Sequence, residues 1–188
     1  MSAPFMLHMA EGLCERGFPT LRFNYAYAET MEREGRRLPP DRRPKLERVH
    51  LAALECLQEL APQRSTLLAG KSMGGRMGSY LASEGHGAGC IFLGYPLHPA
   101  RKPERLRDEH FPAIPQPSLF LQGTRDPLCD LELLRSSLET YAGKTQLRVI
   151  DGADHDFAVP KKSGLTREQV LDSLVEHMAQ WIELAFPG

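Results

Sequence analysis

Four short apolar runs divide this chain: "STLLA" at 65–69, "GCIFLGY" at 89–95, "PSLFLQG" at 117–123 and "QLRVID" at 146–151. The last three are bounded by Gly, Pro or Asp, as strands buried on both faces tend to be. Helical patterns lie around and between them. Phe5, Met9 and Leu13 recur every four residues before Gly17, so residues 4–16 read as an amphipathic helix. Leu46, Val49, Ala53, Leu54, Leu57 and Leu60 form a helical stripe that Pro62 ends. Residues 73–84 read as the next helix. Asp130 caps another, which bears Leu131, Leu134 and Leu138 and stops at Gly143. Thr166 and Gln169 make a capping box for the last helix, through Val170, Leu174, Trp181 and Ile182. "TLRFNY" predicts one more short strand near the start, and the charged, Pro-broken "EREGRRLPPDRRPK" a surface loop. Strands alternating with helices specify an α/β domain with a mostly parallel sheet covered on both faces.

Composition narrows the function classes. A length of 188 residues suits one domain, spanning 1–188. With 23 Lys and Arg against 24 Asp and Glu, no overall field favours nucleic acid or an anionic membrane surface. Cys14, Cys56, Cys90 and Cys129 lie far apart, which predicts buried free thiols rather than a zinc knuckle or disulfide framework. Glu11, Glu15 and Arg16 interrupt any signal-peptide core, and no apolar run approaches membrane-spanning length. The expectation is a soluble cytoplasmic protein.

The stretch "GKSMGG" at 70–75 admits two chemistries. A phosphate-cradling loop would need glycine at position 65, which is Ser65, and a flexible loop where the strand-like "TLLA" stands. A nucleophile elbow fits better. Its serine sits in a strained strand-to-helix turn, so small residues must flank it, and Gly70 and Gly74 occupy those places. Gly75 and Gly78 are expected to let the following helix pack closely.

A serine hydroxyl needs a base, and the base needs an acid to fix its tautomer. "PSLFLQ" runs into "GTRDP", which places Asp126 just beyond a strand. "QLRVI" runs into "DGADHDF", which places His155 likewise. Ser72, Asp126 and His155 thus fall in elbow order at the carboxyl edge of one sheet, where open α/β sheets bind ligands. Asp130 competes as the acid but has a sufficient role as a helix cap. Asp154 and Asp156 flank His155 without a second histidine at ligand spacing, so they read as polar loop residues rather than a metal site. His8, His50 and His177 lie within helices and read as structural. His98 could line a pocket or serve a loop. Lys71 could be an ion-paired surface residue or a cation facing substrate.

With these residues in view, the chain resembles the α/β-hydrolase superfamily, near its dienelactone-hydrolase-like branch. More narrowly it resembles small predicted hydrolases that include a testis-expressed vertebrate protein and relatives of a subunit of the non-specific-lethal chromatin complex. The likeness rests on "SAPFM", "RFNYAY", "PPDRRPKL", "GKSMGGR", "LGYPLHP", "GTRDP" and "GADHDF" together, and covers essentially the whole chain. It implies a three-layer α/β-hydrolase-type fold and a Ser72, Asp126, His155 triad. It also implies that the backbone N–H of Met73 is one oxyanion donor. The resembled fold begins with a further strand ending in a His-Gly-Ala-Gly-like loop, which carries the second donor. That strand would lie inside the sheet, between "TLRF" and "TLLA". The expectation is therefore a chain lacking N-terminal strands, with Met1 an internal methionine and the missing strand encoded upstream.

These readings converge on a serine hydrolase cleaving ester, thioester or related acyl bonds, with no metal or organic cofactor implied. The short, Pro-rich segment from Tyr95 to Gln116 leaves little room for a lid, which suits a small soluble acyl substrate. Its Arg101, Lys102, Arg105 and Arg107 read first as a solvated face, with attraction of an anion as the alternative. The rival is an interaction domain that keeps the fold and turns nothing over.

Overall fold

The computed structural model describes residues 4–187. Strands β1 (Leu67–Lys71), β2 (Gly89–Leu93), β3 (Ser118–Gly123) and β4 (Thr145–Ile150) form one sheet in the order β1-β2-β3-β4. Every neighbouring pair is parallel, with Leu67 opposite Gly89, Cys90 opposite Ser118 and Ser118 opposite Thr145. Helices α1 (Pro4–Glu15), α2 (Ala26–Glu34), α3 (Arg43–Leu60), α4 (Met73–Ser83), α5 (Leu131–Glu139) and α6 (Arg167–Ala185) complete the described architecture.

Side-chain alternation sorts the core into two layers, because successive strand residues face opposite ways. Ile91, Leu93, Leu119 and Leu121 pack with Phe5, Met9 and Leu13 of α1 and with Leu174, Val175 and Met178 of α6. Cys90, Phe92 and Phe120 face the other way, against Leu54 of α3, Leu81 of α4 and Leu134 of α5. The result is three layers, with α1 and α6 on one face and α3, α4 and α5 on the other. Each fully buried Leu or Phe contributes about 1.5–3 kcal/mol of transfer free energy. The helix ends follow the sequence. Asp130 accepts from the N–H groups of Glu132 and Leu133, and Thr166 and Gln169 form both bonds of the capping box.

The structure departs from expectation at four points. "TLRFNY" forms no strand, because none lies beside it to pair with. A cavity of about 860 Å³, lined by Phe18 to Phe23 on one side and by Leu67 to Ala69 on another, separates it from β1. Helix α2 occupies the start of the expected surface loop, and none of its residues is buried. Helix α5 ends at Glu139, short of Gly143. That glycine is needed instead for a close approach, since a Cβ there would lie 2.3 Å from the Gln116 carbonyl oxygen. Finally, Cys90 and Cys129 are buried free thiols as expected, but Cys14 and Cys56 are exposed on their helices. Among the described residues no helix is long and apolar enough to cross a membrane.

Candidate active site

Strand β1 ends at Lys71 and α4 begins at Met73, so Ser72 alone makes the turn between them. Its backbone has φ 52° and ψ −118°, a left-handed conformation for a residue with a Cβ. Such a conformation costs on the order of 1–3 kcal/mol and persists only where its surroundings impose it. Two backbone bonds do so here. Ser72 N–H donates to Leu93 O over 2.9 Å, and Ser72 O accepts from Arg76 N–H over 3.1 Å.

The glycines permit the turn, though not as the spacing suggested. A Cβ at Gly70 would lie 2.5 Å from the backbone of Gly74 and Gly75, and one at Gly75 would lie 2.7 Å from Gly70 O. Helix α4 therefore rests backbone to backbone on the end of β1. Gly74, expected to relieve crowding beside the serine, has nothing within 4 Å of its would-be Cβ. Gly75 fills that role one residue later.

Ser72 holds the N-cap position of α4, yet its hydroxyl makes no cap bond. Its Oγ lies 2.8 Å from His155 Nε2 instead. His155 Nδ1 lies 2.8 Å from Asp126 Oδ2. A carboxylate only accepts, so the proton between these two sits on Nδ1, leaving Nε2 to accept from the Ser72 hydroxyl. All three residues predicted from the sequence are thus brought together, each just beyond a strand: Ser72 after β1, Asp126 after β3 and His155 after β4. Met73 is the first residue of α4, and first-turn N–H groups lack partners within their own helix. The positive end of the helix dipole points the same way.

The Asp126 side chain is 1% exposed, and its oxygens are fully engaged. Gln122 Nε2 donates to Oδ2 over 2.7 Å, and Leu128 N–H donates to Oδ1 over 2.8 Å. Sequence reasoning missed Gln122; a polar residue closing an otherwise apolar strand was the available signal. It also missed Gly94, whose φ is 63° and whose would-be Cβ would stand 3.6 Å from both Asp126 Oδ2 and His155 Nδ1. The loop bearing His155 is anchored by Phe157, fully buried at φ 57° and stacked on Phe5 with ring centres 5.7 Å apart.

The remaining candidates have local duties. Asp130 caps α5, as expected. Asp154 accepts from the N–H groups of Asp156 and Ala158 and shapes the histidine loop. Lys71 Nζ lies 2.7 Å from Asp156 Oδ1, and that bond, aided by the lysine charge, holds the Asp156 carboxyl below its ordinary range. His98 serves the loops: its Nε2 accepts from Asp130 N–H over 3.0 Å, and Nδ1 faces Pro99 O at 3.0 Å. His50 is buried in α3 against Tyr25, while His8 pairs with Asp172 across α1 and α6. Among the described residues no group of three His, Cys, Asp or Glu side chains could hold a metal ion.

A parallel sheet between helical layers, with a strained serine at a strand-to-helix turn, defines a class of α/β proteins that includes many hydrolases. The chain belongs to the alpha/beta hydrolase domain family, whose model matches residues 1–183. Solved structures share the fold. A dienelactone hydrolase from Anabaena variabilis ATCC 29413 superposes with a TM-score of 0.75 at 20% identity, covering 97% of this chain and 80% of that one. An alpha-beta serine hydrolase homologue from Coxiella burnetii gives 0.69 at 21% identity, over 95% of this chain and 76% of the other. The esterase domain of a Rhodothermus marinus protein gives 0.66 at 15% identity, over 96% and 79%.

Proposed function

We propose that this chain is a serine hydrolase that cleaves ester, thioester or related acyl bonds of a small soluble substrate in the cytoplasm, as a single catalytic domain. The observation that carries the reading is the continuous line of contacts from Ser72 Oγ to His155 Nε2 and from His155 Nδ1 to Asp126, each 2.8 Å. Ser72 Oγ attacks the acyl carbon while His155 Nε2 takes its proton. Asp126 holds the ring in the required tautomer and stabilises the imidazolium as it forms. The Met73 N–H donates to the developing oxyanion, at the end of α4 where negative charge is favoured. His155 then returns its proton to the leaving group, the acyl group remains on Ser72, and water activated by the same histidine releases the acid. The proposed reaction calls for no metal or organic cofactor, and nucleic acid has no part in it. The narrower kinship with the testis-expressed and chromatin-associated predicted hydrolases rests on the sequence motifs alone.

A fluorophosphonate probe tests the proposal. Labelling at Ser72 that disappears in Ser72→Ala and falls sharply in His155→Ala is the expected result. A cooperatively folded protein that takes up no probe sinks the hydrolase reading in favour of an interaction domain.

A further inference from the structure

Ser72 directly follows β1, whereas His155 stands well past Ile150, the end of β4, in a loop over residues 151–160. Strands β1 and β4 are the two margins of the sheet and do not pair with each other. Their ladders therefore leave the separation of the two side chains unset, and the histidine loop must be held from elsewhere. Lys71 immediately precedes Ser72, and Asp156 immediately follows His155. Lys71 Nζ donates to Asp156 Oδ1 over 2.7 Å, beside the 2.8 Å contact of Ser72 Oγ with His155 Nε2. Two consecutive residues of the elbow are thus bonded to two consecutive residues of the histidine loop.

The lysine reaches the loop by a second route. Its ammonium lies 5.7 Å from the centre of the Phe5 ring, inside cation–π range, and Phe5 stacks on the buried Phe157 of that loop. The backbone of Asp156 is tied down as well: Arg167 Nη1 donates to its carbonyl over 3.1 Å, and its N–H donates to Asp154 Oδ1 over 2.9 Å. The position is a costly one for a lysine. Leu67, Ala69 and Lys71 share a face of β1, and Leu67 packs into the core that the sheet forms with α1 and α6. Only 19% of the Lys71 side chain is exposed, against 73% of Asp156. A cation drawn below the surface needs a partner, while its stem can lie along apolar neighbours. A pair with so exposed an acid adds little to stability, since water screens it. What it fixes is geometry.

We infer that Lys71 and Asp156 are positioning residues, whose ion pair clamps the histidine loop to the serine elbow and so sets the approach of His155 Nε2 to Ser72 Oγ. The inference rests on the hydrolase reading and deepens it. Both residues act through their chain neighbours. Releasing either lets the imidazole drift from the hydroxyl, and proton transfer slows as the two atoms leave hydrogen-bond reach.

The test follows saturable labelling of Ser72 by a neutral alkyl fluorophosphonate, which separates probe binding (KI) from the chemical step (kinact). Lys71→Met keeps the stem and removes the charge, and Asp156→Ala removes the acid. Each is expected to lower kinact roughly tenfold with KI within about twofold of the parent, inside the ~10²-fold that misplacing a reacting group can cost. The double variant is expected to be no slower than the slower single, because both changes break one contact. Lys71→Arg keeps the charge and a donor and is expected to recover most of the rate. Thermal melts establish that each variant is folded. Should Lys71→Met not fold, Asp156→Ala and Lys71→Arg still decide, the first because its side chain lies mostly in water. Single variants that label at the parent's rate, or losses that multiply in the double, overturn the clamp and leave the hydrolase standing. A rise in KI with kinact unchanged overturns it too, and makes Lys71 a cation facing the ligand. A folded parent that takes up no probe overturns the hydrolase reading, and this inference with it.

Discussion

Gln122 and Asp126 meet at one oxygen: the Gln122 amide donates to Asp126 Oδ2 over 2.7 Å, and the same oxygen faces His155 Nδ1. The carboxylate is therefore held from behind by a fully buried amide whose own Oε1 has no partner. Gln122→Met keeps the length and removes the donor. A hydrogen bond to a charged group contributes about 1.5–3 kcal/mol, and losing the orphaned Oε1 offsets part of it, so the cost is expected at the low end of that range. Turnover of an aryl ester should fall as Asp126 loosens. Denaturant titration and kcat, measured together, check both halves.

Asp126→Asn should be more severe for activity than for folding. Its single carbonyl can serve Leu128 N–H, which leaves an NH₂ group pointing at two donors, Gln122 and the His155 Nδ1–H. The ring then favours the other tautomer, for which a loss of up to ~10⁴-fold in rate is the precedent.

Asp130→Ala isolates the competing acid. It removes the bonds to the Glu132 and Leu133 N–H groups. The expected cost is about 1 kcal/mol of stability, as for other lost N-caps, with little change in kcat. An exchange of the Asp126 and Asp130 phenotypes would show that the acid had been wrongly assigned.

Strain at Ser72 is separable from its chemistry. Ser72→Ala keeps a Cβ at φ 52°, whereas Ser72→Gly removes it. Glycine relieves about 1–3 kcal/mol of strain and returns roughly 0.5–1 kcal/mol through unfolded-chain entropy. The glycine variant should therefore be the more stable of two inactive proteins. Equal unfolding midpoints would remove the case for strain.

Adjacent glycines in α4 should respond in opposite directions. Gly75→Ala drives a Cβ to 2.7 Å from Gly70 O and should cost about 1–3 kcal/mol, with activity lost as the helix shifts off β1. Gly74→Ala meets nothing within 4 Å and should stabilise by about 0.4–1 kcal/mol. Thermal melts of the pair decide it.

Acid should weaken the fold through His50. Burial lowers its pKa from 6.5 to about 4, so it stays neutral in the folded protein where the unfolded chain is protonated. The folded value lies below the unfolded one, so its contribution is full above about pH 6.5 and is lost as pH falls toward about 4. His110, also lowered to about 4 mainly by burial, adds to the same slope. In His50→Gln the decline between these limits should be shallower, as read from denaturation midpoints across pH.

The sequence made the sheet and the site legible where one period or one order dominated. Runs such as "GCIFLGY" are apolar without interruption because both faces of β2 are covered, and Asp126 follows another such run, whereas His155 follows β4, where Arg148 and Val149 are exposed. Helix α2 left no trace because it buries nothing, so "AYAETMERE" carries no apolar stripe. "TLRFNY" has strand composition but no neighbour, and a ladder needs two strands. Gly74 and Gly75 look alike in sequence, and only the approach of α4 to the Gly70 carbonyl distinguishes them. Gln122 escaped notice because its duty is to a residue beyond the strand it closes.

The order of the strands gives the site a mechanical character. Ser72 hangs from β1 and His155 from β4, the two margins of the sheet, while Asp126 stands on interior β3. Thr66 O accepts from Ala88 N–H and Ser72 N–H binds Leu93 O, so the alternate residues Leu67, Ala69 and Lys71 turn their backbone groups away from β2. Among the described residues, β1 is hydrogen-bonded to a strand on that one side only. Margins open more readily than interiors, and a proton relay drawn across the whole width of a sheet is broken by fraying at either side. Under the proposed function, probe labelling at Ser72 should therefore be lost as either margin frays, before most of the molecule unfolds.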